Sequence, residues 1–360
     1  GNPSRSNVDG FQCGGARAGT AECDTIPAKL PFGPTGWKTV YMDHFSLQAS
    51  DYKREAAYYA TLMNWKVRSD DGTKIVLDIG DDVGSVIVRG GYVAPPPQAP
   101  RPPAPGDSAV GGGRGGRGGR GGAGRAPIRA VWDSFCWGIE PWDTKKVEAE
   151  LQKRGLNPVA DHDGKDFQSF HVKDPDGFDL QISNGNKKNR RKGPANAPLP
   201  AAAPFEPTGW KTVWLDHISF AVSNYKESTA FYSALLGWKP TGDEGSQNEC
   251  EIGDLGNIII RGGGGGRAGA AGDTTGGRGG QAALPARRAV MNHIAFGISP
   301  WEADAVKAEL DKRGLNARMD TGGPLDIHDE KTNYKSYHTT TPDGWDLQIS
   351  NATRSSRTVR

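Results

Sequence analysis

Two stretches of the chain place one histidine directly after an aspartate inside an alternating apolar run: TVYMDHFSLQ, Thr39 to Gln48, and TVWLDHISFA, Thr212 to Ala221. Alternation of this kind marks a half-buried β-strand. Each imidazole therefore sits where a buried polar group needs a partner. Neutral imidazole ligates Zn, Fe, Ni or Cu and titrates near neutral pH. A metal or ligand site is one use for such a residue. The other is a hydrogen-bonded core histidine, which fits His44 beside Asp43.

Composition narrows the field. The chain has 360 residues, enough for two or more cores, with 35% hydrophobic residues, Gly 51 and Pro 25. The glycine and proline excess is concentrated in two segments, and the remainder reads as ordinary globular sequence. A net charge of +2 argues for neither nucleic acid nor an anionic membrane surface. No apolar run approaches the roughly 18 residues of a membrane span. Cys13 and Cys23, in FQCGGARAGTAEC, are spaced to close a short disulfide loop, the alternative being two free thiols in a glycine-rich leader. That loop, and a Gly rather than a Met at position 1, favour a processed secreted or periplasmic protein over a cytoplasmic one. Cys136 and Cys250 lie in strand-like runs and read as small buried residues.

The elements that carry the histidines are duplicated. PFGPTGWKTV at 31–40 matches PFEPTGWKTV at 204–213, and VEAELQKRGLN at 147–157 matches VKAELDKRGLN at 306–316. PDGFDLQISN at 175–184 matches PDGWDLQISN at 342–351. Each half divides again into a strand (39–47), a helix (51–63) and short strands, then a strand (130–138), a helix (144–154) and closing strands. Gly155 and Gly314 follow the last helical arginine as helix stops. The expected organisation is a leader (1–30), a first domain (31–184) and a basic linker (185–204). A second domain (205–351) and a tail (352–360) follow. Modules 31–91 and 128–184 flank a Pro/Gly/Arg-rich insert at 92–127, and modules 205–261 and 287–351 flank a Gly-rich insert at 262–286. Such inserts cannot bury enough apolar surface to fold alone.

This fourfold β-α-β-β-β order, with LDHISFAV, YKESTAFYSALLGW and PDGWDLQIS, resembles the vicinal oxygen chelate superfamily of glyoxalase, bleomycin-resistance and extradiol-dioxygenase relatives. The resemblance implies an α+β fold in which four modules pair into two half-open β-sheet cups with helices outside. It also implies a divalent metal (Zn, Fe, Mn or Ni) on a cup floor, held by first-strand histidines and a last-strand glutamate. Carried over residue by residue, it assigns His217 and His293 in the second half, with Gln348 where the glutamate would stand. In the first half His44 keeps its place, but Ser134 and Gln181 replace the other two ligands, so that site is degenerate. His338 and the segment DIHDEK, with Asp326, His328 and Asp329, are substitute ligands, and His171 and His162 are first-half counterparts. Glu251 and Asp254 are candidates for the missing base. Trp132, Trp137 and Trp345 fit core or cavity wall.

Three functions follow as expectations. The first is a metal-dependent lyase, isomerase or dioxygenase acting on a small oxygen-rich substrate through the second half. The second is a non-catalytic small-ligand binder. The third is an extracellular assembly protein that self-associates through its Gly/Pro/Arg-rich inserts.

Overall fold

The computed structural model describes residues 29–93, 128–162, 166–190, 193–194, 197–262, 289–319 and 334–358. The Cys13–Cys23 loop, nearly all of both inserts, and Asp326, His328 and Asp329 lie outside the described residues. Module one runs β1 (Lys38–Ala49), α1 (Tyr52–Leu62), β2 (Lys66–Asp70), β3 (Lys74–Ile79), β4 (Gly84–Arg89). Module two runs β5 (Ala130–Glu140), α2 (Thr144–Lys153), β6 (Val159–Ala160), β7 (Ser169–Lys173), β8 (Asp179–Ser183). Module three is β9 (Lys211–Ala221), α3 (Tyr225–Leu236), β10 (Lys239–Asp243), β11 (Gln247–Ile252), β12 (Gly256–Arg261). Module four is β13 (Val290–Ser299), α4 (Ala303–Lys312), β14 (Arg318–Met319), β15 (Ser336–Thr340), β16 (Asp346–Ser350), and a short α5 (Arg354–Thr358) follows.

Helix boundaries follow local chemistry. Asp51 caps α1 by accepting from the Arg54 amide, and Asn224 caps α3 by accepting from the Lys226 and Glu227 amides. Gly155 and Gly314 take the left-handed conformation just past α2 and α4 (φ 73° and 70°), which a side chain would resist.

Modules pair within each half. The first sheet has the order β2-β3-β4-β1-β5-β8-β7-β6, and the second repeats it as β10-β11-β12-β9-β13-β16-β15-β14. In both, two long first strands run antiparallel at the centre, each flanked by the parallel last strand of its own module. Period-two alternation gives each sheet two faces. Phe45, Phe135 and Trp137 point to one face, as do Phe220 and Phe296 in the second sheet, and their aromatic partners include Tyr232 of α3 and Trp238. The opposite, concave face carries the histidines.

α1 and α3 lie outside their own cups, yet they are buried between the halves. Tyr59 of α1 stacks on Trp65, whose ring meets Phe296 of β13, while Tyr232 of α3 bonds Asp174 before β8. Trp132 and Trp345 meet across the same junction at 6.3 Å, so the tryptophans fill core as expected. The repeated PTGWKTV motif is the clasp. Thr35 Oγ1 donates to the Leu235 carbonyl (2.7 Å) and Thr208 Oγ1 to the Leu62 carbonyl (2.6 Å), so each half satisfies the open C-terminal turn of the other half's helix. Trp65 Nε1 donates to Thr212 and Trp238 Nε1 to Thr39 in the same reciprocal way. Thr208→Val, which keeps the shape and deletes the donor, should cost about 1 kcal/mol in urea denaturation. An unchanged midpoint would remove the clasp from the stability argument.

Among the described residues, no helix is long and apolar enough to cross a membrane.

Candidate metal centre

The second sheet brings its histidines together on the concave face. His217 of β9 is opposite Ala295 of β13, and His293 is opposite Ser219, so the two rings sit on adjacent strands and meet diagonally. Their Nε2 atoms are 3.2 Å apart. Ring centroids lie 5.3 Å apart for His217–His293 and 5.2 Å for His293–His338, which makes one run of three imidazoles across β9, β13 and β15. His338 thus joins the cluster. Its Nδ1 lies 3.1 Å from Asp346 Oδ1.

Asp216, fully buried, stands behind His217 with Oδ1 3.5 Å from Nδ1. Its Oδ2 accepts from Tyr334 (2.6 Å) and Ser350 (2.7 Å). Gln348 occupies the row between Ala295 and His338. Its Nε2 donates to Ser336 Oγ (2.8 Å) and Tyr334 Oη (3.3 Å), so the amide end that cannot ligate is committed to hydroxyls.

The candidate bases are placed elsewhere. Glu251 and Asp254 line a cleft of about 770 Å³ between the halves. There Lys239 lies 3.8 Å from Glu251, and Arg354 lies 2.7 Å from Asp254. The carboxylate that does belong to the cup wall is Glu249 of β11. It is 5% exposed and accepts from Asn257 Nδ2 at 2.7 Å, and Asn257 is directly opposite His217. Its Oε2 has no hydrogen-bond partner among the described residues. Sequence reasoning passed over Glu249, although its parity matches that of Glu251 two residues on.

In the first cup the row is His44, Cys136, Gln181, His171. Ser134 faces Ser46, so among the described residues no second imidazole meets His44 across β1 and β5. His44 Nδ1 is 2.8 Å from Asp43 Oδ1, and Gln181 Nε2 donates to Ser169 Oγ at 2.8 Å. His171 is held between Asp179 (2.9 Å) and Asp161 (3.2 Å), and the hydrogen bond to Asp179 raises its pKa. His162 accepts from the Ser169 amide and serves the backbone.

Two paired-module cups, one with clustered imidazoles, define the class, and comparison supplies the family. The family described as Glyoxalase/Bleomycin resistance protein/Dioxygenase superfamily matches residues 214–349. No curated protein matches the chain. The fold is similar to a Mn(II)-bound glyoxalase from Novosphingobium aromaticivorans, with 14% identity over 87% of this chain and 82% of that one, at TM-score 0.55. It is similar also to a mutant of homoprotocatechuate 2,3-dioxygenase from Brevibacterium fuscum, with 16% identity over 91% and 75% of the two chains, at TM-score 0.53. Residues 214–349 of the second half match this family's model, and the chain as a whole shares the fold of these glyoxalase and dioxygenase structures.

Proposed function

We propose that the second half binds a divalent metal at His217 and His293 and acts on a small oxygen-rich substrate as a metal-dependent lyase, isomerase or dioxygenase. The observation that carries this reading is the 3.2 Å between the two Nε2 atoms. Nitrogens bound to one ion at about 2.1 Å are separated by about 3.0 Å at a right angle and about 3.4 Å at a tetrahedral one. The pair is already spaced to share an ion.

The donor set fits. Two imidazoles and the Gln348 amide suit Zn, Fe, Mn or Ni but bring no charge of their own. The buried Asp216 carboxylate brings that charge one step out, and it favours the His217 tautomer with a proton on Nδ1 and a free Nε2. When bound, such a metal supplies a Lewis acid that polarises adjacent substrate oxygens. Glu249 is the group for proton transfer. It is buried, half satisfied, and two strands from His217 on the same wall. Asn257 holds one carboxylate oxygen, and the other has no hydrogen-bond partner among the described residues.

The competing reading, a ligand binder without turnover, is favoured by the neutral residue at 348. Gln348→Glu separates the two. It should raise metal affinity at least tenfold by adding the missing charge, measured by calorimetric titration. Elemental analysis that finds no metal bound through His217 and His293, and no titratable binding there, would end the metal reading and leave the binder.

A further inference from the structure

We infer that the first half holds its own site for a thiophilic divalent ion of the Zn(II) class, built from Cys136, His44 and Asp43. Judged by the ligands of the second half, the first cup is degenerate, because Ser134 stands where His293 would be needed. Two residues further along β5 the exchange runs the other way. Cys136 replaces Ala295, directly between His44 on β1 and Gln181 on β8. Phe135 and Trp137 face the helices, so Cys136 faces the cup with His44.

One ligand atom each from Asp43, His44 and Cys136 lies within 4.8 Å of the other two, and this is the one such trio among the described residues. Thiolate, imidazole and carboxylate around a tetrahedral zinc are separated by about 3.4–3.6 Å. Side-chain adjustment of about an ångström closes the gap. Charge agrees: a thiolate and a carboxylate neutralise a dication, and His44 adds none. Of the nearby cations, Arg68 and Arg190 are already paired with Asp78.

The site is closed. Cys136 has no exposed surface, and the backbone of Gly185 lies against Gly138 and the Asp43 carboxylate. No electrophile reaches the thiol, so a nucleophilic Cys–His–Asp triad does not suit this burial.

The test silences the second half with His217→Ala/His293→Ala and loads the variant with Co(II) as a probe for zinc. One bound equivalent and a thiolate-to-cobalt charge-transfer band are expected. Adding Cys136→Ala, which installs the residue the second half carries at this place, should abolish both while cooperative thermal unfolding persists. No thiolate band, or an equivalent that survives Cys136→Ala, overturns the site. Neither outcome bears on the metal proposed for the second half, which is absent from this background.

Discussion

His293→Ala should strip the second half of its metal while leaving the sheet folded. His293 is half-buried on the cup face and contributes no apolar packing to the helix side, where Ile294 and Phe296 do that work. Its loss removes one of two imidazole ligands. The penalty should exceed the roughly 10–100-fold in affinity that follows loss of an outer-shell partner. Asp216→Asn supplies that smaller comparison, since it leaves both ligands in place while removing the charge and one acceptor oxygen behind His217. Calorimetric titration should therefore rank the wild type above Asp216→Asn, and Asp216→Asn above His293→Ala, with His217→Ala equal to the last. Equal affinity for wild type and His293→Ala would show that the 3.2 Å contact is an ordinary hydrogen bond between rings.

The residues that were legible in the sequence share a physical reason. His217 and His293 occupy the same place in two copies of one module, so repeat register alone predicts that a paired sheet brings them together. Gln348 and the loss of His44's imidazole partner at Ser134 follow from the same register. Other features depend on depth and neighbours that register does not encode. Glu249 and Glu251 have equal parity on β11, yet Glu251 sits near the strand end beside Lys239 while Glu249 is sealed under Asn257. Cys136 reads as a small core residue until the pairing of β1 with β5 puts it against His44. The PTGWKTV motif advertises the duplication, but its use, capping the helix of the opposite half, needs the three-dimensional exchange between halves.

That exchange carries the second large effect, a stability that falls as pH rises. Glu55 of α1 is completely buried at the junction with module four, where its Oε2 accepts from the Asp343 amide at 3.1 Å. Burial pushes its carboxyl from an ordinary 4.5 up to about 7, with the nearby Asp343 charge adding to the rise. The folded chain therefore holds a proton that the unfolded chain has already released between those two values, so unfolding is favoured progressively as pH rises through that window. A shift of this size corresponds to on the order of 3 kcal/mol lost by pH 8. Asp174, in contact with Tyr232 at the pseudo-symmetric junction, is pushed by burial from 3.8 to about 6 and acts in the same direction. Glu55→Gln keeps an acceptor for the Asp343 amide and cannot ionise. It should gain on the order of 3 kcal/mol over wild type above pH 8, and little below pH 4, where both side chains are neutral. Denaturation curves taken across that range should converge at low pH and separate steadily above about pH 5, with Asp174 and His171 contributing to the slope that remains in the variant. Parallel curves would mean that Glu55 titrates normally and that water reaches the junction.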